Sequence, residues 1–161
     1  MYNGSMSGKI ELRPVIETDL ERFFNHQQDT EAVRMAAFTS KDPTDRAAFD
    51  AHWAKIMANP EVVTRTILYD NDIAGHVAKF VMFKKPEVTY WIAREHWGKG
   101  IATAALKMFL NEIAIRPLYA RAAADNRGSI RVLEKCGFER IGTERGYANA
   151  RGEEIDEVVM E

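Results

Sequence analysis

The sequence predicts a layered α/β (α+β) domain with a mixed central sheet of about seven strands flanked by helices. Three observations predict it. The hydrophobic period switches repeatedly between 2 and about 3.6 residues along the chain, so strands and helices are interspersed. Three strand-like segments run consecutively over 62–93, and the order β-α-α-β-β-β-α-β-α-β-β accounts for the length. The 161 residues, 46% of them hydrophobic, suffice for one sizeable core.

Residues 1–8, MYNGSMSG, are small and polar, without the apolar core of a signal peptide, and read as a disordered tail or an expression remnant. A single domain is expected over 9–161. KIELRP alternates apolar and polar residues as a short strand that Pro14 ends. Thr18 with Glu21 three residues later predicts a capping box and a helix start. Residues 30–42 show no clear period and read as a connection or a short irregular helix. The next helix begins near Pro43, carries Phe49, Trp53, Ile56 and Met57 as its stripe, and stops at Pro60.

Strands are expected at 62–69, at 73–83 with a bulge at Gly75, and at 87–93. Ala102, Ala105, Leu106, Phe109 and Ile113 then follow at helical spacing, and Pro117 marks the end of that helix. LYARAAA (118–124) is a short apolar strand. The helix after it has Asn126 as N-cap and Gly137–Phe138 as a left-handed stop with its hydrophobic contact. Two alternating strands, expected to be antiparallel, close the chain.

Composition excludes several chemistries. A formal net charge of −2 gives no electrostatic reason to expect nucleic acid or an anionic membrane as partner. No apolar run approaches the ~20 residues that span a bilayer. The one cysteine, Cys136, permits no internal disulfide and no multi-cysteine zinc site, so no metal is expected. This usage suits a cytoplasmic protein.

Chemistry enters at EHWGKGIATAAL (95–106), where Gly98 and Gly100 stand directly before a helix. The first N–H groups of a helix have no internal partner and sit at the positive end of its dipole, so the stretch reads either as an anion site or as a plain glycine turn into a helix. Its candidate backbone donors are Gly98, Lys99, Gly100, Ile101 and Ala102, with the Thr103 hydroxyl as a further donor. No Walker A motif is present. A dinucleotide fingerprint fails because Thr103 stands where a third small residue belongs and no ribose-binding acid follows about 20 residues on. The pyrophosphate of coenzyme A is a third candidate ligand.

EHWGKGIATAAL resembles the acyl-CoA-binding motif of the GNAT family of N-acetyltransferases, and NRGSIRVLEKCGF (126–138) resembles that family's downstream block. The blocks occur in the family's order with a strand between them, and the element order matches from IELRP to EVVM. WGKGIAT, NRGSIRVLEKCGF and LRPVIETDLERF are most similar to the RimJ/RimL-like ribosomal-protein N-acetyltransferase subgroup. The resemblance implies an acyl-CoA N-acyltransferase fold, acetyl-CoA as co-substrate, and an amine acceptor (a protein N-terminus or a small molecule). Dimers are common among such proteins.

Two departures matter. Glu95 stands where Gln or Arg usually opens the first motif. Leu133 stands where many members carry a tyrosine that protonates the leaving thiolate; the RimJ/RimL-like pattern instead implies Ser129 as general acid. The family also implies a carbonyl-binding N–H at Trp91 or Ile92 and a base at Glu87, to which His76 is an alternative. Asn126 divides between capping its helix and bonding the pantetheine arm. Arg131, with Arg127 and Lys135, is a candidate for the phosphates of CoA. Cys136 is read as core packing. Trp97 is expected to cover the glycine turn, and Phe38, Arg34 and Tyr147 are acceptor-side candidates. A non-catalytic acyl-CoA-binding module of the same fold is the alternative reading.

Overall fold

The computed structural model describes residues 8–161; apart from Gly8, the tail expected over 1–8 lies outside the described residues. Seven strands form two antiparallel sheets. The first has the order β1 (Ile10–Pro14), β2 (Val63–Tyr69), β3 (Asp72–Met82), β4 (Lys85–Ile92). The second has the order β5 (Ala120–Ala123), β7 (Glu153–Met160), β6 (Arg140–Ala148). Among the described residues one isolated parallel bridge, Glu87 with Tyr119, joins β4 to the residue just before β5, which makes the assembly mixed. Beyond it the two strands share no ladder, and the sheets part.

The helices are α1 (Leu20–His26), α2 (Thr30–Ala36), α3 (Arg46–Ala58), α4 (Ile101–Glu112) and α5 (Arg127–Lys135). The main core includes Val77, Val88, Ile101, Leu106, Phe109, Leu133, Phe138 and Met160, where α4 and α5 pack on the sheets. A second cluster, Val15, Phe23, Phe49 and Trp53, seats α1 and α3. No helix among the described residues is long and apolar enough to cross a membrane.

Several local expectations hold. α5 ends in a Schellman motif: Phe138 N–H donates to Leu133 O at 3.0 Å and Gly137 N–H to Glu134 O at 3.0 Å, with Gly137 at φ 97° and Phe138 and Leu133 sharing the core. The bulge falls next to Gly75, where the β2–β3 register slips between Ile67 and Leu68. A Cβ at Gly75 would lie 1.9 Å from the Trp91 carbonyl oxygen, so glycine there lets β4 come close.

Others are corrected. Thr18 caps nothing; it is exposed in a 3-10 turn over Glu17–Asp19. Asp19 does the work instead, 1% exposed, accepting from Ile16 N–H at 3.0 Å, the Thr66 hydroxyl at 2.7 Å and Arg13 at 2.7 and 2.8 Å. Burial alone would raise its pKa, but these donors bring it below the usual carboxylate range. Residues 30–36 form a regular helix capped by Asp29. α3 starts at Arg46, capped by Asp45. Met57 is 48% exposed; eight residues after Phe49 it has rotated about 80° off the stripe.

Candidate active site

Alternation along β4 decides what faces the split. Val88 N–H donates to Tyr119 O at 2.8 Å, and Tyr119 N–H to Pro86 O at 2.9 Å, so the backbone groups of even-numbered residues point toward β5. Ala93 N–H donates to Ala74 O at 2.8 Å, so odd-numbered ones point toward β3, and the β3–β4 register is unbroken. The N–H of Ile92 is therefore turned into the split. That of Trp91 is spent in the ladder opposite His76, which excludes Trp91 as the carbonyl-binding donor.

The glycine loop lies at the end of β4. Gly98 has φ 77° and Gly100 φ 78°, and a Cβ built on either meets nothing within 4 Å. Glycine serves the left-handed backbone and keeps the space above it open. Gly100 is the N-cap of α4 with no side-chain cap, so the N–H groups of Ile101, Ala102 and Thr103 face that space. Trp97 folds back, its indole N–H donating to Ile92 O at 2.9 Å, with the Arg94 guanidinium over its ring at 5.2 Å. Glu95 is exposed beside them. Lys99 turns inward, its Nζ 5.3 Å from the Tyr69 ring centroid and 3.5 Å from His96 Nδ1. His96 Nε2 lies 3.1 Å from Asp72, and this bond is the first cause holding the Asp72 carboxyl below its ordinary range.

α5 forms the other wall. Asn126 is its N-cap, Oδ1 accepting from Ser129 N–H at 3.2 Å, while Nδ2 donates to Met35 O at 3.2 Å. Both ends of the amide are thus engaged within the chain, which favours capping and tying α2 to α5 over a bond to pantetheine. Ser129 Oγ lies 2.9 Å from the Tyr90 hydroxyl on β4, a hydrogen bond that crosses the split. Arg127 and Arg131 are exposed and pair with no carboxylate among the described residues. Cys136 Sγ lies 3.6 Å from Thr103 O, and burial pushes its thiol pKa up, as packing requires and a nucleophile does not.

Neither base candidate is well placed. Glu87 is 3% exposed, with Oε2 3.1 Å from Arg121 Nε, next to the bridge and far along β4 from the loop. It anchors Arg121, which also bonds Glu144 at 2.7 Å and Glu157 at 3.4 Å. His76 packs against Phe23 and Trp53, with Nδ1 sealed and unpartnered. Burial, then His26 and His52, lowers its pKa to about 3, too weak a base to take a proton from an ammonium. On the acceptor side, α2 and the β6–β7 loop are brought together: Ala150 N–H donates to Ala37 O, Asn149 to Thr39 O and Arg151 to Arg34 O. Phe38 packs there beside Ala123 and Ala148, and Tyr147 is 61% exposed.

A sequence model described as the acetyltransferase (GNAT) domain matches residues 9–139. The chain belongs to the GNAT acetyltransferase family. It is an acyltransferase. YdaF of Bacillus subtilis (strain 168), provisionally named a ribosomal N-acetyltransferase, is 27% identical over 157 residues, covering 90% of this chain and 86% of YdaF. Spermidine N-acetyltransferase from Vibrio cholerae, solved with CoA and spermine, superposes with TM-score 0.80 at 19% identity, covering 94% of this chain and 93% of that one. Mycobacterium smegmatis RimJ, solved with CoA-disulfide, gives TM-score 0.80 at 22% identity over 94% and 80%. In this GNAT chain one residue at the site escaped the sequence reading and another was left undecided. Alternation along β4 puts Tyr90 and Trp91 on opposite faces without telling which meets the cleft; the Tyr90 hydroxyl lies 2.9 Å from Ser129 Oγ. His96 had one available signal, its place just before WGKG.

Proposed function

We propose that this enzyme transfers an acetyl group from acetyl-CoA to a primary amine by direct attack of the amine on the thioester carbonyl, with residues 9–161 as one catalytic unit. The observation that carries this reading is the convergence of three features on one split: the N–H groups from Gly98 to Thr103, the N–H of Ile92, and the hydroxyl of Ser129. The first would hold the pyrophosphate of CoA on backbone donors at a helix N-terminus. Arg131, exposed on α5, would meet its remaining phosphate. The N–H of Ile92 would bind the carbonyl oxygen as negative charge develops there. Ser129 would donate to the leaving sulfur. The amine loses its proton to water in the cleft, since Glu87 is engaged by Arg121 and His76 is too weakly basic. The acceptor is a protein N-terminus or a small-molecule amine, approaching along the surface that α2 and the β6–β7 loop form together.

Titration calorimetry with CoA, followed by CoA release from acetyl-CoA over a panel of amines, tests this. Spermidine, spermine and peptides with free N-termini lead the panel, after the ligands and names of the similar proteins. The expected result is CoA binding, no stabilisation by NAD, and release above background with at least one amine. Failure to bind CoA overturns the reading. Binding with no release on any amine replaces the enzyme with a non-catalytic acyl-CoA-binding module.

A further inference from the structure

Ser129 meets a chemical difficulty if it acts alone. An aliphatic alcohol is a much weaker acid than a thiol, so giving its proton to a thiolate and remaining an alkoxide is uphill. A phenol, with an ordinary pKa of about 10, is far closer to a thiol at about 8.5. Such a phenol is in contact with Ser129: the Tyr90 hydroxyl lies 2.9 Å from Ser129 Oγ. The two side chains come from opposite walls of the split, β4 and α5. The Tyr90 ring packs on the main core, which fixes the hydroxyl. Leu133, where the family resemblance implies a tyrosine, is 4% exposed within that core. A phenol is thus supplied from a different element.

We propose that Tyr90 supplies, through Ser129, the proton that the leaving thiolate takes. The proposal rests on the reading of Ser129 given above. The C–S bond breaks with its electron pair passing to sulfur. The Ser129 proton moves to sulfur, the Tyr90 proton moves to Ser129 Oγ, and the phenolate takes a proton from water. That proton balances the one the attacking nitrogen releases to water, so an amine and a thioester become an amide and a thiol with no net change in the enzyme. Tyr90 acts through Ser129 and is a positioning residue that orients the serine hydroxyl and restores its proton. Burial raises the Tyr90 pKa, which keeps the phenol protonated but widens the gap between its pKa and that of a thiol; the hydrogen bond with Ser129 acts in the opposite direction.

The test uses the full chain with CoA alone as probe. The thiol of bound CoA is titrated by its thiolate absorbance in the parent protein, Tyr90→Phe, Ser129→Ala and the double variant. Tyr90→Phe keeps the ring, and thermal unfolding checks that packing survives. Each single variant is expected to raise the bound thiol pKa, by on the order of one pH unit for loss of a hydrogen bond to a charged group. The double variant is expected to match Ser129→Ala, because the two groups act in series. With hydroxylamine as acceptor, kcat of Tyr90→Phe should fall roughly tenfold or more while KM for acetyl-CoA moves less than about twofold. An unchanged thiol pKa in Tyr90→Phe beside a raised one in Ser129→Ala overturns the relay alone. A rise in Tyr90→Phe with none in Ser129→Ala also overturns it, because Tyr90 then meets sulfur directly. No rise in either, or no CoA binding, removes the Ser129 reading and the relay together.

Discussion

Gly100 holds φ 78° at the head of α4 with open space above it. A valine there would be strained by about 1–2 kcal/mol and would place two methyl groups over the unpartnered N–H groups. Gly100→Val should therefore fold yet lose at least about tenfold in CoA affinity, equivalent to about 1.4 kcal/mol. Ser129→Ala should leave affinity nearly unchanged while lowering turnover, and calorimetry beside steady-state rates separates the two. His76 gives a residue-scale prediction about stability. Its folded pKa of about 3 lies below the unfolded value of about 6.5. Below pH 6.5 the unfolded chain binds a proton that the folded chain refuses, so stability falls as pH drops from 6.5 toward 3. His76→Leu should flatten that fall; urea midpoints measured from pH 7 to pH 4 that decline as steeply as the parent's would show that His76 is not its source.

At the scale of elements, β3 and β4 depend on a contact between backbones. Gly75 admits the Trp91 carbonyl, and a methyl group there would meet a main-chain oxygen that cannot swing aside. Gly75→Ala should cost about 3 kcal/mol or more in urea unfolding and should also disturb the N–H of Ile92, the residue paired with Gly75. Loss of stability without loss of turnover would separate that N–H from catalysis. The helices were legible to different degrees. Asn126 and the Gly137–Phe138 stop were readable because their partners lie within one turn in sequence. Thr18 misled because the pattern of a capping box is local, whereas Asp19 next to it is held by Arg13 and Thr66 from two strands.

For the molecule as a whole, the proposed mechanism uses no side chain among the described residues as base, so the acceptor is expected to arrive as free amine. With a peptide N-terminus, kcat/KM should rise about tenfold per pH unit below the α-amino pKa of about 7.7–8.0 and level off above it. With a polyamine the rise should continue toward about pH 10. A common break near pH 6.5 for both acceptors would point to an enzyme histidine instead.

The sequence by itself determined the element order, the glycine pair and the NRGSIRVLEKCGF block, because periodicity, caps and phosphate-binding turns are written in residues that are neighbours along the chain. The tertiary structure decided which backbone groups face the split, that Ile92 and not Trp91 turns its N–H there, and that Tyr90 meets Ser129. It also decided that Glu87 is engaged by Arg121, 34 residues away, and that His76 is held in an apolar cluster. These outcomes depend on strand parity, on where two sheets part, and on partners distant in the chain, none of which a local pattern encodes.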